Sequence, residues 1–270
     1  MDLTIITPSL NQGSYLAECL ASVAGQSGVS IEHLIIDGLS SDNSAAVAAK
    51  FSHAIWTSEK DSGMSEAINK GFALAKGDWV MWLNADDFLL PDALSNIFPT
   101  LSKSSADIVY GDIQFVDKQG GVIRRLNSAP WSMFSHVHHA CYVQSTAAFY
   151  RRSTVIDTSF RLREDFKFVM DGEFYARLAV SGKTFRHVRQ VIASFRLHGE
   201  NASQRHLGKP EDMNAAIAAE RQHIESRAIR RIHGITLFED PYLNGLIDGF
   251  LWVAAGCWKK ALKVRERLLP

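Results

Sequence analysis

The chain has 270 residues, of which 46% are hydrophobic and 21% are charged, and this composition excludes a disordered protein. The length suits one large α/β domain, or such a domain with a helical appendage. Lysine plus arginine and aspartate plus glutamate both number 29. A nucleic-acid binder needs an excess of cations to neutralise phosphates, so we expect no nucleic-acid partner. Any anionic ligand must be held by a few residues or by a bound cation.

Short apolar runs alternate with helical patterns over the first hundred residues. Predicted strands cover residues 3–7, 31–36, 54–57 and 79–83, and predicted helices cover 15–24, a segment ending at 51, 65–75 and 91–101. Ser14 is the expected N-cap of the first helix, and Asp42 or Asn43 that of the second. Gly77 ends the third helix and Pro91 opens the fourth. Such alternation with short connections predicts an α/β fold with a parallel, doubly wound sheet.

The pattern changes after Asp107. Residues 107–126 predict two strands joined by a turn at 119–121, and residues 130–142 predict a loop. A strand at 144–150, a helix at 171–180 and a strand within 185–197 follow. Beyond Pro210 the sequence predicts a helix near 213–232 and a second helix over 242–268.

The three cysteines, Cys19, Cys141 and Cys257, are odd in number and widely spaced. This usage is typical of reduced thiols, so a cytoplasmic location is expected. We find no pattern of a secretion signal, and no apolar stretch reaches the roughly 20 residues that span a bilayer.

Acidic residues follow three of the predicted strands, at the point where each strand ends. They are Asp37, Asp61 and the pair Asp86 and Asp87. Ligands of open α/β sheets bind outside the carboxyl ends of the strands, so these side chains are expected to share one crevice. Asp37 or Asp61 alone is explained equally well as a helix cap or turn residue. The coincidence of three placements predicts a binding site.

The chemistry of this acidic crevice favours a metal-bridged diphosphate. Neither glycine-rich phosphate-binding pattern occurs in the sequence. Mg²⁺ or Mn²⁺ accepts a few protein oxygens and keeps positions open for phosphate and water. The run NADD, directly after a buried strand, has the form expected of such a site.

Several motifs of the chain resemble the family 2 glycosyltransferases, and among them bacterial enzymes of O-antigen and other surface-polysaccharide assembly. The first four are TIITPSLNQGSYLAECLASVAGQ, IEHLIIDGLSSDNS, SEKDSGMSEAINKG and GDWVMWLNADDFLLPDAL. They are followed in order by DIVYGDI, QSTAAFYRR, MDGEFYARLAVSGKTF and FRLHGENAS. The resemblance covers residues 1–203 and implies a GT-A fold. It divides the chain into a nucleotide-sugar-binding half (1–105), an acceptor half (106–209) and a helical extension (210–270).

The resemblance implies an inverting transfer from a nucleotide-diphosphate sugar, usually a UDP-sugar, to a hydroxyl of a glycan or lipid-linked acceptor. It implies that Asp37 and Asp61 contact base and ribose, and that Thr7 and Pro8 line the base pocket. Lys70 is expected either to touch the donor or to be a solvated cation at a helix end.

The same resemblance identifies a metal site. Asn84, Ala85 and Asp86 correspond to the DXD motif of the family, with Asn84 in place of its first aspartate. Asp86 is the expected ligand of Mn²⁺ or Mg²⁺, supported by Asp87. His198 either reaches the metal or diphosphate, or is a hydrogen-bonded structural histidine.

On the acceptor side, Asp171 matches the catalytic-base position of the family. Without the resemblance, a helix cap explains Asp171 better, and Glu173, Asp165 and Glu164 are nearby alternatives. Gln144 is expected to bind substrate, although many relatives have histidine where this chain has Val143.

Two further segments have alternative interpretations. His136, His138 and His139 fit no common zinc spacing, so we interpret them as part of an acceptor-side loop. The predicted helix at 242–268 has one apolar and one basic face. It suits a membrane interface, which would place the protein peripherally on the inner face of the cytoplasmic membrane, and equally suits packing on its own domain. A sugar nucleotidyltransferase and a non-catalytic sugar-binding protein are the competing functions.

Overall fold

The computed structural model describes residues 1–138, 141–167, 169–199, 201 and 254. The strands are β1 (Leu3–Ser9), β2 (Ile31–Asp37), β3 (Ala54–Ser58), β4 (Trp79–Trp82), β5 (Phe88–Leu89), β6 (Ile108–Val116), β7 (Val122–Leu126), β8 (Ala148–Arg151) and β9 (Phe185–Arg196). The α-helices are α1 (Gly13–Ala24), α2 (Ser44–Ala48), α3 (Met64–Leu74), α4 (Ala93–Lys103), α5 (Met133–His138), α6 (Arg152–Val155) and α7 (Met170–Val180). Short 3₁₀ turns cover Ser145–Ala147 and Thr158–Phe160.

One sheet contains all of these strands, in the order β3-β2-β1-β4-β8-β6-β9-β5, with β7 paired to β6. β3, β2, β1 and β4 run parallel, as the sequence predicts. β8 runs antiparallel to both β4 and β6, whereas β6 and β9 are parallel. The doubly wound parallel sheet is therefore confirmed for the first four strands, and the second half is mixed. Antiparallel neighbours need no helical crossover, and the described residues between β7 and β8 form only the six-residue α5 and a 3₁₀ turn.

Two hydrophobic clusters cover the faces of the central strands. All seven residues of β1 and all four of β4 are buried, as expected for strands covered on both faces. Leu3 and Met81 belong to the cluster under α4, while Ile6 and Trp82 belong to the cluster under α3 and α7. This alternation follows the two-residue period of a strand, and it fixes the carboxyl ends of β1 and β4 side by side.

Helix starts differ from the predicted ones by one or two residues. Gln12 occupies the cap position of α1, so Ser14 lies inside the helix and is not the cap. Asn43 precedes α2 without a side-chain cap, while Asp42 accepts from the amide of Ser44 at 2.9 Å. The fourth helix starts after Asp92, whose left-handed backbone (φ 56°) delays helix entry beyond the predicted proline start.

The predicted loop at 130–142 contains the six-residue helix α5. So short a helix shows too little of the 3.6-residue period to be recognised in a sequence. The predicted strand at 144–150 is shorter than expected, because a 3₁₀ turn precedes β8.

The predicted helices at 213–232 and 242–268 lie outside the described residues, apart from Ala254. The alternative roles of the second helix therefore stay predictions, as does the division at residue 210. Within the described part of the chain, no helix combines the length and hydropathy needed to cross a bilayer.

Candidate active site

An open cleft of about 230 Å³ lies at the carboxyl ends of β1 and β4. Six residues that the sequence predicts for substrate or metal binding line it: Pro8, Asp61, Asn84, Ala85, Asp86 and His198. Sequence reasoning did not single out the others, which are Ser9, Leu10, Gln12, Gly63, Met64, Ala67 and Asn201. The predicted convergence of Asp61 and Asp86, which follow different strands, is thus present in the structure.

Asp86 lies at the centre of a polar cluster in this cleft. Its Oδ2 atom is 2.9 Å from Nε2 of His198 and 3.3 Å from Nδ2 of Asn201. A carboxylate only accepts, so Nε2 of His198 donates in this contact, and the other ring nitrogen is Nδ1. That Nδ1 is buried and has no hydrogen-bond partner among the described residues. The ring of His198 stacks on Tyr15 at 4.8 Å between centroids, which fixes its orientation.

Asp87 is buried and is not among the residues lining the cleft. Its side chain stabilises the turn that follows β4. It is 1% exposed, and its oxygens accept from the Arg196 amide at 3.0 Å, the Thr146 hydroxyl at 3.1 Å and the Asn84 amide group at 3.1 Å. Burial, followed by the nearby charge of Asp86, raises the pKa of Asp87 well above its usual range. The metal-ligand role predicted for Asp87 stays a prediction, and in this structure its oxygens are occupied by protein donors.

Asn84 has one amide atom committed and one available. Its Nδ2 donates to Asp87, while its Oδ1 is buried without a partner among the described residues. A buried acceptor of this kind is costly unless a ligand or water donates to it. Because Asn84 lines the cleft, its Oδ1 can accept a hydrogen bond from a hydroxyl group of a ligand bound there.

Two predicted nucleoside contacts lie behind the cleft wall and do not line it. Asp37 is 1% exposed, and it accepts from the amide and hydroxyl of Ser40 and from the Ser58 hydroxyl at 2.7 Å. Thr7 is fully buried with its hydroxyl 2.9 Å from Nε2 of His33. Both side chains hold the strand ends together in this structure.

Asp61, by contrast, reaches the cleft. Its Oδ1 accepts from the amide of Gly63 at 3.0 Å, and burial raises its pKa. A Cβ on Gly38 would lie only 2.9 Å from Oδ2 of Asp61, so glycine lets the two loops approach.

Lys70 is not among the residues lining the cleft. Its Nζ pairs with Glu59 and Glu66, both at 3.0 Å. This geometry makes Lys70 a brace of the loop that carries Asp61.

Asp171 lies in the first turn of α7 and is partly buried. Val169 occupies the cap position of the helix, and Oδ1 of Asp171 accepts from the amide of Gly172 at 2.8 Å. Burial raises the pKa of Asp171, which makes its carboxylate a stronger base. The start of α7 contacts the start of α3, where the Ser65 hydroxyl donates to Sδ of Met170 at 2.9 Å. The first turn of α3 lines the cleft through Met64, whereas Asp171 is not among the lining residues.

The alternative carboxylates near Asp171 are less suited to proton transfer. Glu173 is fully buried and forms a bidentate pair with Arg177, with both N–O distances 2.9 Å. Asp165 is held in an exposed pair by Arg163, which lowers the pKa of Asp165. Glu164 is exposed.

The remaining residues that the sequence predicts for the acceptor side are Gln144, His136, His138 and His139. Gln144 precedes the 3₁₀ turn and is not among the residues lining the cleft; its carbonyl accepts from the amide of Ala147 at 3.0 Å. His136 is buried, and its Nε2 donates to the carbonyl of Gly172 at 2.8 Å. This histidine therefore contacts the residue that follows Asp171. The side chain of His138 and all of His139 lie outside the described part of the structure.

Comparison with known proteins gives a consistent family. The family model described as "Glycosyl transferase family 2" matches residues 4–158. A curated relative, chondroitin synthase of Escherichia coli, is 26% identical over 212 residues, which are 76% of this chain and 30% of that protein. The chain spans less than two thirds of the length of each of the first four curated relatives that it matches.

Two solved structures share the fold. S. aureus TarS 1–349 in complex with UDP-GlcNAc has a TM-score of 0.62 and 15% identity, covering 94% of this chain and 79% of that one. The mannosyltransferase PcManGT from Pyrobaculum calidifontis, in complex with GDP-Man and Mn²⁺, has a TM-score of 0.58 and 14% identity, covering 94% and 86%. The likeness confirms the GT-A fold that the sequence predicts.

Proposed function

Because the chain belongs to glycosyl transferase family 2, we propose that it transfers a sugar from a UDP-sugar to a hydroxyl of a glycan or lipid-linked acceptor of surface-polysaccharide assembly, with inversion. The supporting observation is the strand-end cleft where Asp61 and Asp86 converge. Buried polar atoms, Oδ1 of Asn84 and Nδ1 of His198, adjoin it without hydrogen-bond partners among the described residues. Such atoms are expected where a polar ligand completes the site.

In this proposal the donor lies along the cleft, with its nucleoside toward Pro8 and Asp61 and its diphosphate toward Asp86. Asp61 offers a carboxylate to ribose or base, and Asn84 offers Oδ1 to a sugar or ribose hydroxyl. Asp37 and Thr7 support this wall from behind. Uridine is the base expected from the family resemblance, and it accords with the UDP-GlcNAc complex of TarS.

A divalent cation fits the residues around Asp86. No hydrogen bond to Oδ1 of Asp86 is formed by the described residues, and the side chain is 16% exposed. Within the same residues, no group of three or more histidine, cysteine or acidic side chains gathers as a metal cage. Asp86, with His198 beside it, would therefore hold Mn²⁺ or Mg²⁺ together with diphosphate and water oxygens. When bound, such a cation neutralises charge on the departing diphosphate.

Asp171 acts as the general base. The acceptor oxygen bonds to the anomeric carbon, the bond from that carbon to the diphosphate breaks, and the hydroxyl proton passes to Asp171. Proton removal of this kind is worth roughly 10²–10⁴ in rate. Attack from the face opposite the leaving group inverts the anomeric carbon.

Release of UDP from UDP-sugars tests the proposal. We expect slow UDP release by the full chain with Mn²⁺ or Mg²⁺, its loss on chelation with EDTA, and its loss in Asp86→Asn. Release that persists under both treatments would contradict the proposed donor site. A sugar nucleotidyltransferase would instead release pyrophosphate from a nucleoside triphosphate, and a non-catalytic binding protein would release neither product.

A further inference from the structure

Arg196, the last residue of β9, joins three separate segments beneath the cleft. Its guanidinium is almost fully buried, with 2% of the side chain exposed. Nε donates to the main-chain carbonyl of Asp86 at 3.0 Å, and Nη1 donates to the carbonyl of Lys118 at 2.9 Å. Nη2 pairs with the carboxylate of Glu18 on α1. One side chain thus ties the turn after β4 to α1 and to the turn between β6 and β7.

The main chain of Arg196 holds the same turn from a second side. Its amide donates to Oδ1 of Asp87 at 3.0 Å. Its carbonyl accepts from Nδ2 of Asn201 at 2.7 Å, and the same Nδ2 lies 3.3 Å from Oδ2 of Asp86. Both neighbouring aspartates of the turn are therefore restrained through one residue.

Aromatic rings enclose the guanidinium. Its central carbon lies 5.3 Å from the ring centroid of Tyr15 and 5.2 Å from that of Phe88. Tyr15 also stacks on His198, which contacts Asp86. A planar guanidinium fits this arrangement, because it stacks on rings while its edge donates in fixed directions.

Burying this charge is unfavourable unless every donor finds a partner. A shorter or apolar side chain would leave the carbonyls of Asp86 and Lys118 without their donor. Lysine keeps the charge that pairs with Glu18, yet it lacks the fork that reaches several carbonyls at once. The geometry therefore favours arginine for orienting the turn.

We propose that Arg196 is a positioning residue that acts through the main chain of Asp86 and aims its carboxylate into the cleft. The inference rests on the proposed function, since Asp86 must hold the cation and diphosphate for this orientation to matter. Arg196 itself is not among the residues that line the cleft. It determines how strongly the preformed carboxylate holds Mn²⁺ together with UDP.

Calorimetric titration of Mn²⁺ into the full chain saturated with UDP tests this proposal. Loss of a group that orients a metal ligand typically weakens metal binding about 10–100-fold. We expect a weakening in this range for Arg196→Ala and partial recovery when methylguanidine is added.

The matched control is Arg151→Ala. Arg151 also donates to main-chain carbonyls and stacks on a ring, that of Trp79 at 4.7 Å, but at the far end of β4. That control is expected to bind Mn²⁺ as the unaltered chain does.

The outcomes separate the two proposals. If Asp86→Asn binds Mn²⁺ with UDP normally, the proposed donor site is wrong. If Asp86→Asn loses binding but folded Arg196→Ala binds within twofold of the unaltered chain, only the positioning role is overturned. Should Arg196→Ala fail to fold, Arg196→Lys decides. Weakened Mn²⁺ binding at an unchanged melting temperature supports the role, and unchanged binding overturns it.

Discussion

At the scale of single residues, environment separates the roles of the acidic side chains. Asp86 has an oxygen available to the cleft, whereas both oxygens of Asp87 are taken by protein donors. Asp171 combines a burial-raised pKa with a place beside α3, whose first turn lines the cleft. The three residues are of one type, so their neighbouring groups decide the roles that we propose for them. Asp86 binds the cation, Asp87 stabilises the turn and Asp171 accepts the proton.

Asp171→Asn should retain UDP binding and lose sugar transfer by about 10²–10⁴-fold, because the amide cannot take the proton of the acceptor hydroxyl. Thermal shift with UDP and Mn²⁺ measures binding, and product formation measures transfer. Asp165→Asn, which removes an exposed ion pair with Arg163, is the matched control and should transfer normally. Normal transfer by Asp171→Asn would remove this residue from the base role.

At the scale of elements, buried polar pairs hold β1 and β2 in register below the cleft. His33 on β2 is fully buried and contacts Thr7 on β1, next to Pro8 of the cleft wall. Burial is the main cause that lowers the pKa of His33, to about 3, and the neighbouring His53 is the second. The folded state thus keeps this imidazole neutral at pH values where the unfolded chain protonates it.

The free energy of unfolding should therefore fall as pH decreases. The pKa of His33 in the folded state lies below its value in the unfolded chain. The contribution of neutral His33 to the free energy of unfolding is therefore fully present above pH 6.5 and is lost progressively between pH 6.5 and 3. From pH 7.5 to 5.5, His33 should account for about 1 kcal/mol of this loss in the free energy of unfolding. Urea unfolding at the two pH values measures this loss, and His33→Gln should reduce it by that amount. An identical pH dependence in His33→Gln would show that His33 is not the responsible group.

The approach of β1 to the loop before β4 depends on Gly77. A Cβ at this position would lie 2.4 Å from the main-chain nitrogen of Thr4, and a backbone atom cannot rotate away. Gly77→Ala should destabilise the fold by about 1–3 kcal/mol, the usual effect of overpacking. Gly25→Ala at the end of α1 is the control, since its Cβ meets only ordinary contacts. Equal unfolding midpoints for the two variants would contradict this reading.

At the scale of the whole molecule, the sequence predicts the first four strands well, because they are apolar runs with regular helices between them. The order of β8, β6 and β9 is not predictable in this way, since strand pairing depends on tertiary contacts rather than local pattern. Six of the predicted site residues line the cleft. The other six do not: Thr7, Asp37, Lys70, Asp87, Gln144 and Asp171. For Thr7 and Asp37 the reason is that the sequence predicts their position at strand ends but not their buried partners. The connecting role of Arg196 depends on contacts with residues 78 to 178 positions away, which no local motif reveals.

The most direct test of the account is a crystal structure of the full chain with UDP and Mn²⁺. We predict the cation and the diphosphate at Asp86, the nucleoside toward Pro8 and Asp61, and the sugar on the side of the cleft nearest the start of α7, which carries Asp171. A cation or nucleotide bound elsewhere, or an Asp171 carboxylate directed away from the bound diphosphate, would contradict it.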